Sequence, residues 1–237
     1  MGFWENNPPE RLLGEASLWS ADFSRLGDEI RRVDDYVDFY HIDVCDAHFV
    51  PQLLFFPDLV ASLRPLTRKP FHVHLMVENP LILIDDFARA GANLISIHSE
   101  NGPLVPASIQ RIHDLRLGVG LAIGLDIPLE NVLPYLDQLD LVLLMGTPMG
   151  VKGQSLSHLA CPRIARMRGL LEQNGLTKNI RIGADGGIRL QTVPDLCASG
   201  ADNVVMGSLL FKNDDPQHIM SWIHSLPAHS QRLPPET

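Results

Sequence analysis

Along the chain, short apolar runs of strand length alternate with longer stretches whose apolar residues recur at helical spacing. The run Glu15-Ala-Ser-Leu-Trp-Ser20, closed by Ala21-Asp-Phe-Ser-Arg25, reads as a strand followed by a helix. From Gly27 to Val37, Ile30, Val33 and Val37 stand among charges, which predicts a helix leading directly into a strand over 38–44. Further strands are predicted over 71–76, 93–98, 118–123, 140–145, 180–184 and 202–206. Helices are predicted near 57–66, 80–90, 104–115, 128–136, 162–173, 190–199 and 216–224, with Gly91 suited to a helix C-terminus. Eight strands, each followed by a helical segment with no linker between, predict an α/β chain folded as a single (β/α)8 TIM barrel. A doubly wound open sheet is the competitor, but its first turn would carry a glycine-rich phosphate loop, and Ser17-Leu-Trp-Ser-Ala-Asp22 carries none. The expected divisions are an N-terminal extension over 1–13, the barrel over 14–226 and a C-terminal tail over 227–237.

Composition narrows the function. The 237 residues, 45% hydrophobic and 20% charged, suit one compact domain. A net charge of −9 without a dense Lys/Arg cluster argues against a nucleic-acid or acidic-membrane surface. A small anion stays compatible where backbone donors outweigh the overall field. Cys45, Cys161 and Cys197 are odd in number and lack C-x-x-C spacing, which points away from a disulfide scaffold and toward the cytoplasm. No basic leader and no apolar stretch of membrane-spanning length appear, so a soluble, unexported protein is expected.

In Phe39-Tyr-His-Ile-Asp-Val-Cys-Asp46, His41, Asp43 and Cys45 share one face of an extended strand. Groups that can carry charge are costly to bury on so apolar a run unless paired, and a divalent metal pairs with both types. Barrel active sites lie at the C-terminal strand ends, which here carry Ser17, His41, Asp43, His72, His74, His98 and Asp185. From three of these strands, His41, Asp43, His74 and Asp185 form a mixed nitrogen and oxygen set suited to Zn²⁺, Mn²⁺ or Fe²⁺ rather than Mg²⁺ or Ca²⁺. A lone buried histidine is more often a hydrogen-bonded core residue, and His72 and His98 are read that way. Glycines follow the late strands in Met145-Gly-Thr-Pro-Met-Gly-Val-Lys-Gly-Gln154, Asp185-Gly-Gly-Ile188 and Met206-Gly-Ser-Leu-Leu-Phe211, where this fold commonly holds a phosphate. Metal at one end and phosphate at the other suggest a phosphosugar whose carbonyl or enediolate is stabilised by the metal. Two carboxylates exchanging a proton across opposite faces would then epimerise it.

The motifs Ser17-Leu-Trp-Ser-Ala-Asp-Phe23, His41-Ile-Asp-Val-Cys-Asp-Ala-His-Phe-Val-Pro51, His74-Leu-Met76, Gly150-x-x-Gly-Gln154, Asp185-Gly-Gly-Ile188 and Gly207-Ser208 with Phe211 follow in fixed order. In these the chain resembles the ribulose-phosphate 3-epimerase family from about Ala16 to Phe211. The resemblance implies interconversion of D-ribulose 5-phosphate and D-xylulose 5-phosphate through a cis-enediolate, with one divalent ion (Zn, Fe, Mn or Co) and a homo-oligomeric assembly. By position, His41, Asp43, His74 and Asp185 match the family's metal ligands, and Asp43 and Asp185 its acid/base pair. Ser17 and His74 match positions at the substrate, and Met76 and Met145 match methionines that shield the reacting centre. Gly186, Gly187, Gly207 and Ser208 match the phosphate cradle, and Gly150 and Gly153 the closing loop.

Departures lie in the walls and lid. Cys45-Asp46-Ala47 stands for the usual Met-Asp-Gly, Gln52 for asparagine, His72 for aspartate, and Pro148-Met-Gly-Val-Lys-Gly-Gln154 for Asn-Pro-Gly-Phe-Gly-Gly-Gln. Cys45 is expected to make an apolar contact, Trp19 to pack, and Lys152 to be a solvated lysine, with a phosphate contact as its alternative. Another ketose phosphate, such as allulose 6-phosphate or a shorter sugar, is the alternative substrate. A metal-dependent hydrolase, suggested by His72-Val-His74, lacks further ligating histidines or lysines on later strands, and intact Asp43 and Asp185 speak against an inactive binding barrel.

Overall fold

The computed structural model describes residues 3–4, 11–177 and 180–227. Its parallel strands are β1 (Leu13–Ser17), β2 (Phe39–Asp46), β3 (Phe71–Met76), β4 (Leu94–His98), β5 (Gly118–Ile123), β6 (Leu141–Met145), β7 (Arg181–Asp185) and β8 (Asn203–Met206). Because β1 pairs in parallel with both β2 and β8, the sheet closes into the (β/α)8 barrel that the alternation predicts.

The strands alternate between two environments, although both are dry. Outward-facing Ile42, Val44, Val73, Leu75, Ile95, Ile97, Val119 and Leu121 join the main core beneath the helices. Inward-facing residues fill the barrel in layers. At the N-terminal end Leu13, Phe39, Leu94 and Leu141 begin an apolar cluster that Leu143 and Val205 continue upward along their strands. Above it, Glu15, His41, His72 and Ser96 are linked by hydrogen bonds. Closest to the C-terminal mouth stand Ser17, Asp43, His74, His98 and Asp185, at strand ends that the closed register brings together.

Several boundaries differ from the sequence reading for physical reasons. The segment near 128–136 is a 3₁₀ helix over Leu129–Gln138, because Pro134 lacks the N–H that an α-helical ladder needs. The first strand starts at Leu13 and ends at Ser17, where Leu18–Ser20 tightens into a 3₁₀ turn. After β2 the chain doubles back as Leu53–Leu54, antiparallel to Cys45–Asp46, an excursion the apolar pattern did not announce. The loop after β8 coils into a helix over Ser208–Phe211.

Two residues of the expected extension belong structurally to the barrel floor. The Phe3 N–H donates to Asp140 Oδ1 at 3.0 Å, and the Trp4 indole N–H donates to the Asp140 carbonyl at 2.6 Å. The Trp4 ring lies 3.7 Å from the Arg181 guanidinium carbon and 5.6 Å from the Phe39 ring, closing the apolar layer from below. Leu12 donates to the Leu226 carbonyl at 3.0 Å, and Arg11 bridges Pro227, so the segment leading into β1 meets the segment after the last helix. The rest of the extension, residues 1–2 and 5–10, and the tail from 228 lie outside the described residues. Among the described residues no helix is long and apolar enough to cross a membrane.

Trp4→Ala is expected to cost about 3 kcal/mol through the cavity it leaves, read as a fall of roughly 2–4 °C per kcal/mol in thermal unfolding. The kinetics should be unchanged, because the indole sits at the end of the barrel opposite the mouth.

Candidate active site

Neighbouring strands in register deliver the polar cluster: Asp43 on β2 stands opposite His74 on β3, His41 opposite His72, and Met145 on β6 opposite Asp185 on β7. His41 Nε2 lies 3.3 Å from Asp43 Oδ1, 3.7 Å from Asp185 Oδ2 and 3.4 Å from His74 Nδ1. His74 Nδ1 lies 3.5 Å from Asp43 Oδ1 and 3.4 Å from Asp185 Oδ2. The four donor atoms all fall within 4.8 Å of one another. Donors held ~2.0–2.2 Å from one ion at tetrahedral angles are ~3.3–3.6 Å apart, so the observed separations suit a common ion better than a set of mutual hydrogen bonds.

Electrostatics point the same way. Burial pulls the His41 imidazole down, yet Asp43, Glu15 and Asp185 outweigh it and hold the ring well above its usual range. His74 moves upward too, burial being overcome by Asp185 and Asp43. Burial raises Asp43, but His41 and His74 hold its carboxyl far below the usual carboxylate range. A site that draws protons onto buried imidazoles is one that attracts positive charge, and a divalent cation can take the place of those protons.

The supporting groups are ordered in turn. Ser17 Oγ donates to Asp43 Oδ2 at 2.8 Å. His41 Nδ1 and His72 Nδ1 lie 3.0 and 2.7 Å from Glu15 Oε2, and His74 Nε2 lies 2.8 Å from His98 Nε2. Cys45 packs with Val50 and Met76, as expected of an apolar contact. Burial, then the charges of Asp43 and Asp46, push its thiol up to about 12, so it stays protonated and outside the donor set.

Above the cluster opens a cavity of about 320 Å³. Of the residues singled out in the sequence, Ser17, Asp43, Met76, Met145, Gly150, Gly153, Asp185, Gly186, Gly187, Gly207 and Ser208 line it. His41 and His74 are fully buried and sit below its floor. Gly186 and Gly187 follow β7, and Gly207 precedes the Ser208–Phe211 helix, so the glycine-containing turns after the last two strands border the cavity. Lys212 and Arg189 add cationic side chains to the lining. Lys152 is exposed, as expected of a solvated lysine, and it also donates to the Trp19 carbonyl with its ammonium 5.3 Å from the Trp19 ring, so both residues border the mouth. Glu15, Thr147, Arg189 and Lys212 were not among the sequence candidates. Only Glu15 carried a local signal, as a charge inside an apolar strand.

A model of the ribulose-phosphate 3 epimerase family matches residues 15–211. The chain is 37% identical over 208 residues to the ribulose-phosphate 3-epimerase of Bacillus subtilis, covering 87% of this chain and 95% of that relative. With the enzyme of the same name from Escherichia coli K12 it shares 34% over 218 residues, covering 91% and 96%. Among solved structures, it matches KGPDC from Streptococcus mutans at a TM-score of 0.66 and 13% identity, covering 89% and 94%. It also matches 3-hexulose-6-phosphate synthase from Salmonella typhimurium at 0.67 and 16%, covering 91% and 98%. At these identities the structural likeness concerns the barrel fold.

The cavity's backbone can be tested by glycine substitution. A Cβ on Gly187, at φ +72°, would lie 2.6 Å from Leu156 Cα, whereas one on Gly153, at φ +78°, would meet nothing within 4 Å. Gly187→Ala is expected to lose about 1–3 kcal/mol in urea unfolding and Gly153→Ala distinctly less; equal losses would show that conformation alone, not the close approach of Leu156, sets the cost.

Proposed function

The chain belongs to the ribulose-phosphate 3-epimerase family, isomerases acting on carbohydrate phosphates, and from that premise we propose that it interconverts D-ribulose 5-phosphate and D-xylulose 5-phosphate by two-base proton transfer at C3. The observation that carries this reading is the meeting of Asp43 and Asp185, from strands that are not neighbours, on one cavity floor around the same two imidazoles.

Residues 14–226 form the catalytic unit, and the family reading extends to a homo-oligomer in the cytoplasm. His41, Asp43, His74 and Asp185 would hold one divalent ion, Zn, Fe, Mn or Co. When bound, it supplies Lewis-acid stabilisation of the negative charge that develops on the substrate's oxygens. One carboxylate removes the C3 proton from one face and the other returns a proton to the opposite face, inverting the carbon. Ser17, by donating to Asp43, keeps that carboxylate aimed and ionised. At the far end, the N–H groups around Gly186, Gly187, Gly207 and Ser208, with Lys212 and Arg189 nearby, receive the phosphate. Met76, Met145 and Met149 put apolar surface next to the reacting carbon, which excludes water and strengthens each charge interaction inside. The loop carrying Gly150 and Gly153 closes the mouth, with Lys152 laid over Trp19.

Incubated in D2O with D-ribulose 5-phosphate, the protein is expected to form D-xylulose 5-phosphate carrying deuterium at C3, followed by NMR. Treatment with a chelator should abolish exchange, and added Zn²⁺, Fe²⁺, Mn²⁺ or Co²⁺ should restore it. Turnover confined to other ketose phosphates, allulose 6-phosphate among them, would reject the pentulose assignment; no exchange on any of them would reject the epimerase reading. Asp185→Asn, which cannot accept a proton, is expected to lower kcat by about 10²–10⁴ with an unchanged unfolding transition. Near-normal turnover in that variant would remove the two-base scheme.

A further inference from the structure

Directly beneath the four-residue cluster lies a second buried group, Glu15, His41 and His72, which shares His41 with it. Glu15 is 1% exposed and His41 and His72 no more than that, so every polar atom here must find its partner inside the protein. Glu15 Oε2 lies 3.0 Å from His41 Nδ1 and 2.7 Å from His72 Nδ1, while Glu15 Oε1 accepts from Asn203 Nδ2 at 2.9 Å. On its other side, His72 Nε2 lies 2.7 Å from Ser96 Oγ. These are hydrogen-bond separations, which leave no room for a second ion among the same atoms.

An ionised carboxylate only accepts, so both imidazoles must present Nδ1–H to Glu15. For His72 this leaves Nε2 to accept from Ser96. For His41 it leaves the Nε2 lone pair pointing at Asp43, Asp185 and His74, the orientation a metal ligand needs.

We propose that Glu15 is the positioning residue of this centre: clamped by His72 and Asn203, it fixes the tautomer and ring plane of His41 and thereby sets the affinity of the cluster for its ion. This rests on the metal-binding reading of the cluster given above. His72 serves as the second donor that holds the Glu15 carboxylate in place, which gives that histidine a role without ligation. The geometry also says where the carboxylate can be moved. His41 and His72 are Cα partners across β2 and β3, and His72 Nδ1 lies 3.2 Å from His41 Nδ1. Since Nδ1 of histidine and Oδ of aspartate are both one bond beyond Cγ, an aspartate at position 72 would place an acceptor close to His41 Nδ1.

The test uses the full chain, with zinc affinity measured by chelator competition and the visible spectrum of the Co²⁺-loaded protein as readouts independent of turnover. The parent is expected to bind one ion. Glu15→Gln and Glu15→Ala should each weaken zinc binding by about 10–100-fold and shift the cobalt bands, and Glu15→Ala/His72→Asp should recover most of the affinity and the parent spectrum. Parental affinity and spectrum in Glu15→Gln would overturn the proposal, as would two ions per parent chain with one lost on substitution. A folded double variant without recovery would overturn it, and so would failure of that variant to fold, since a carboxylate at position 72 is expected to sustain the network. A parent that binds no ion would instead refute the metal-binding reading itself, which separates the two claims.

Discussion

His41 is gripped by carboxylates at both ring nitrogens, Glu15 below at 3.0 Å and Asp43 above at 3.3 Å, and the imidazole between them is closed to solvent. In so dry a setting a charged or polar group left without its partner is costly, so each member of the series Asn203, Glu15, His41, Asp43 and Ser17 depends on the next. The series crosses several strands, and only one register satisfies it. Because side chains on a strand alternate faces, a slip of one residue between β2 and β3 would turn His41 and Asp43 toward the helices and bring Ile42 and Val44 into the barrel. The polar interior therefore specifies the fold as well as the chemistry.

Stability and reactivity are held at opposite ends of the same barrel. The N-terminal end is closed by Leu13, Phe39, Leu94, Leu141 and the Trp4 ring. At the C-terminal end Gly150, Gly153, Gly186 and Gly187 take positive φ, where the backbone turns tightly around the cavity. Apolar layers at the closed end and under the helices supply the burial that allows the other end to keep ionisable groups close together.

The strands were legible because runs such as Ile95-Ser-Ile-His98 and Leu141-Val-Leu-Leu-Met145 have the length and polarity of barrel strands. The four-residue cluster was legible because its members stand at strand ends, where this fold concentrates chemistry. Glu15 was not, since its partners His41, His72 and Asn203 are 26, 57 and 188 positions away and come together only when the sheet closes. Trp4 and its neighbour Phe3 are followed by a polar, Pro-containing stretch, so no periodic pattern marks Trp4 as the lower plug. Lys152 reads as a surface charge, and only the folded loop lays it over the Trp19 and Phe23 rings.

A chain of net charge −9 is at first sight a poor host for a phosphosugar. Charges separated by more than ~8 Å of physiological saline are largely screened, so the field that the substrate meets is that of the cavity wall. The wall is divided. Asp43 and Asp185 are at the floor, whereas Gly186, Gly187, Gly207 and Ser208 line the wall together with Arg189 and Lys212. On the proposed reading, a phosphate would be repelled at the first end and received at the second, so a ketose phosphate would enter in only one direction. In the proposed reaction that single orientation matters as much as the bases do. It presents one carbon of the sugar between the two carboxylates, and inversion follows at that carbon alone.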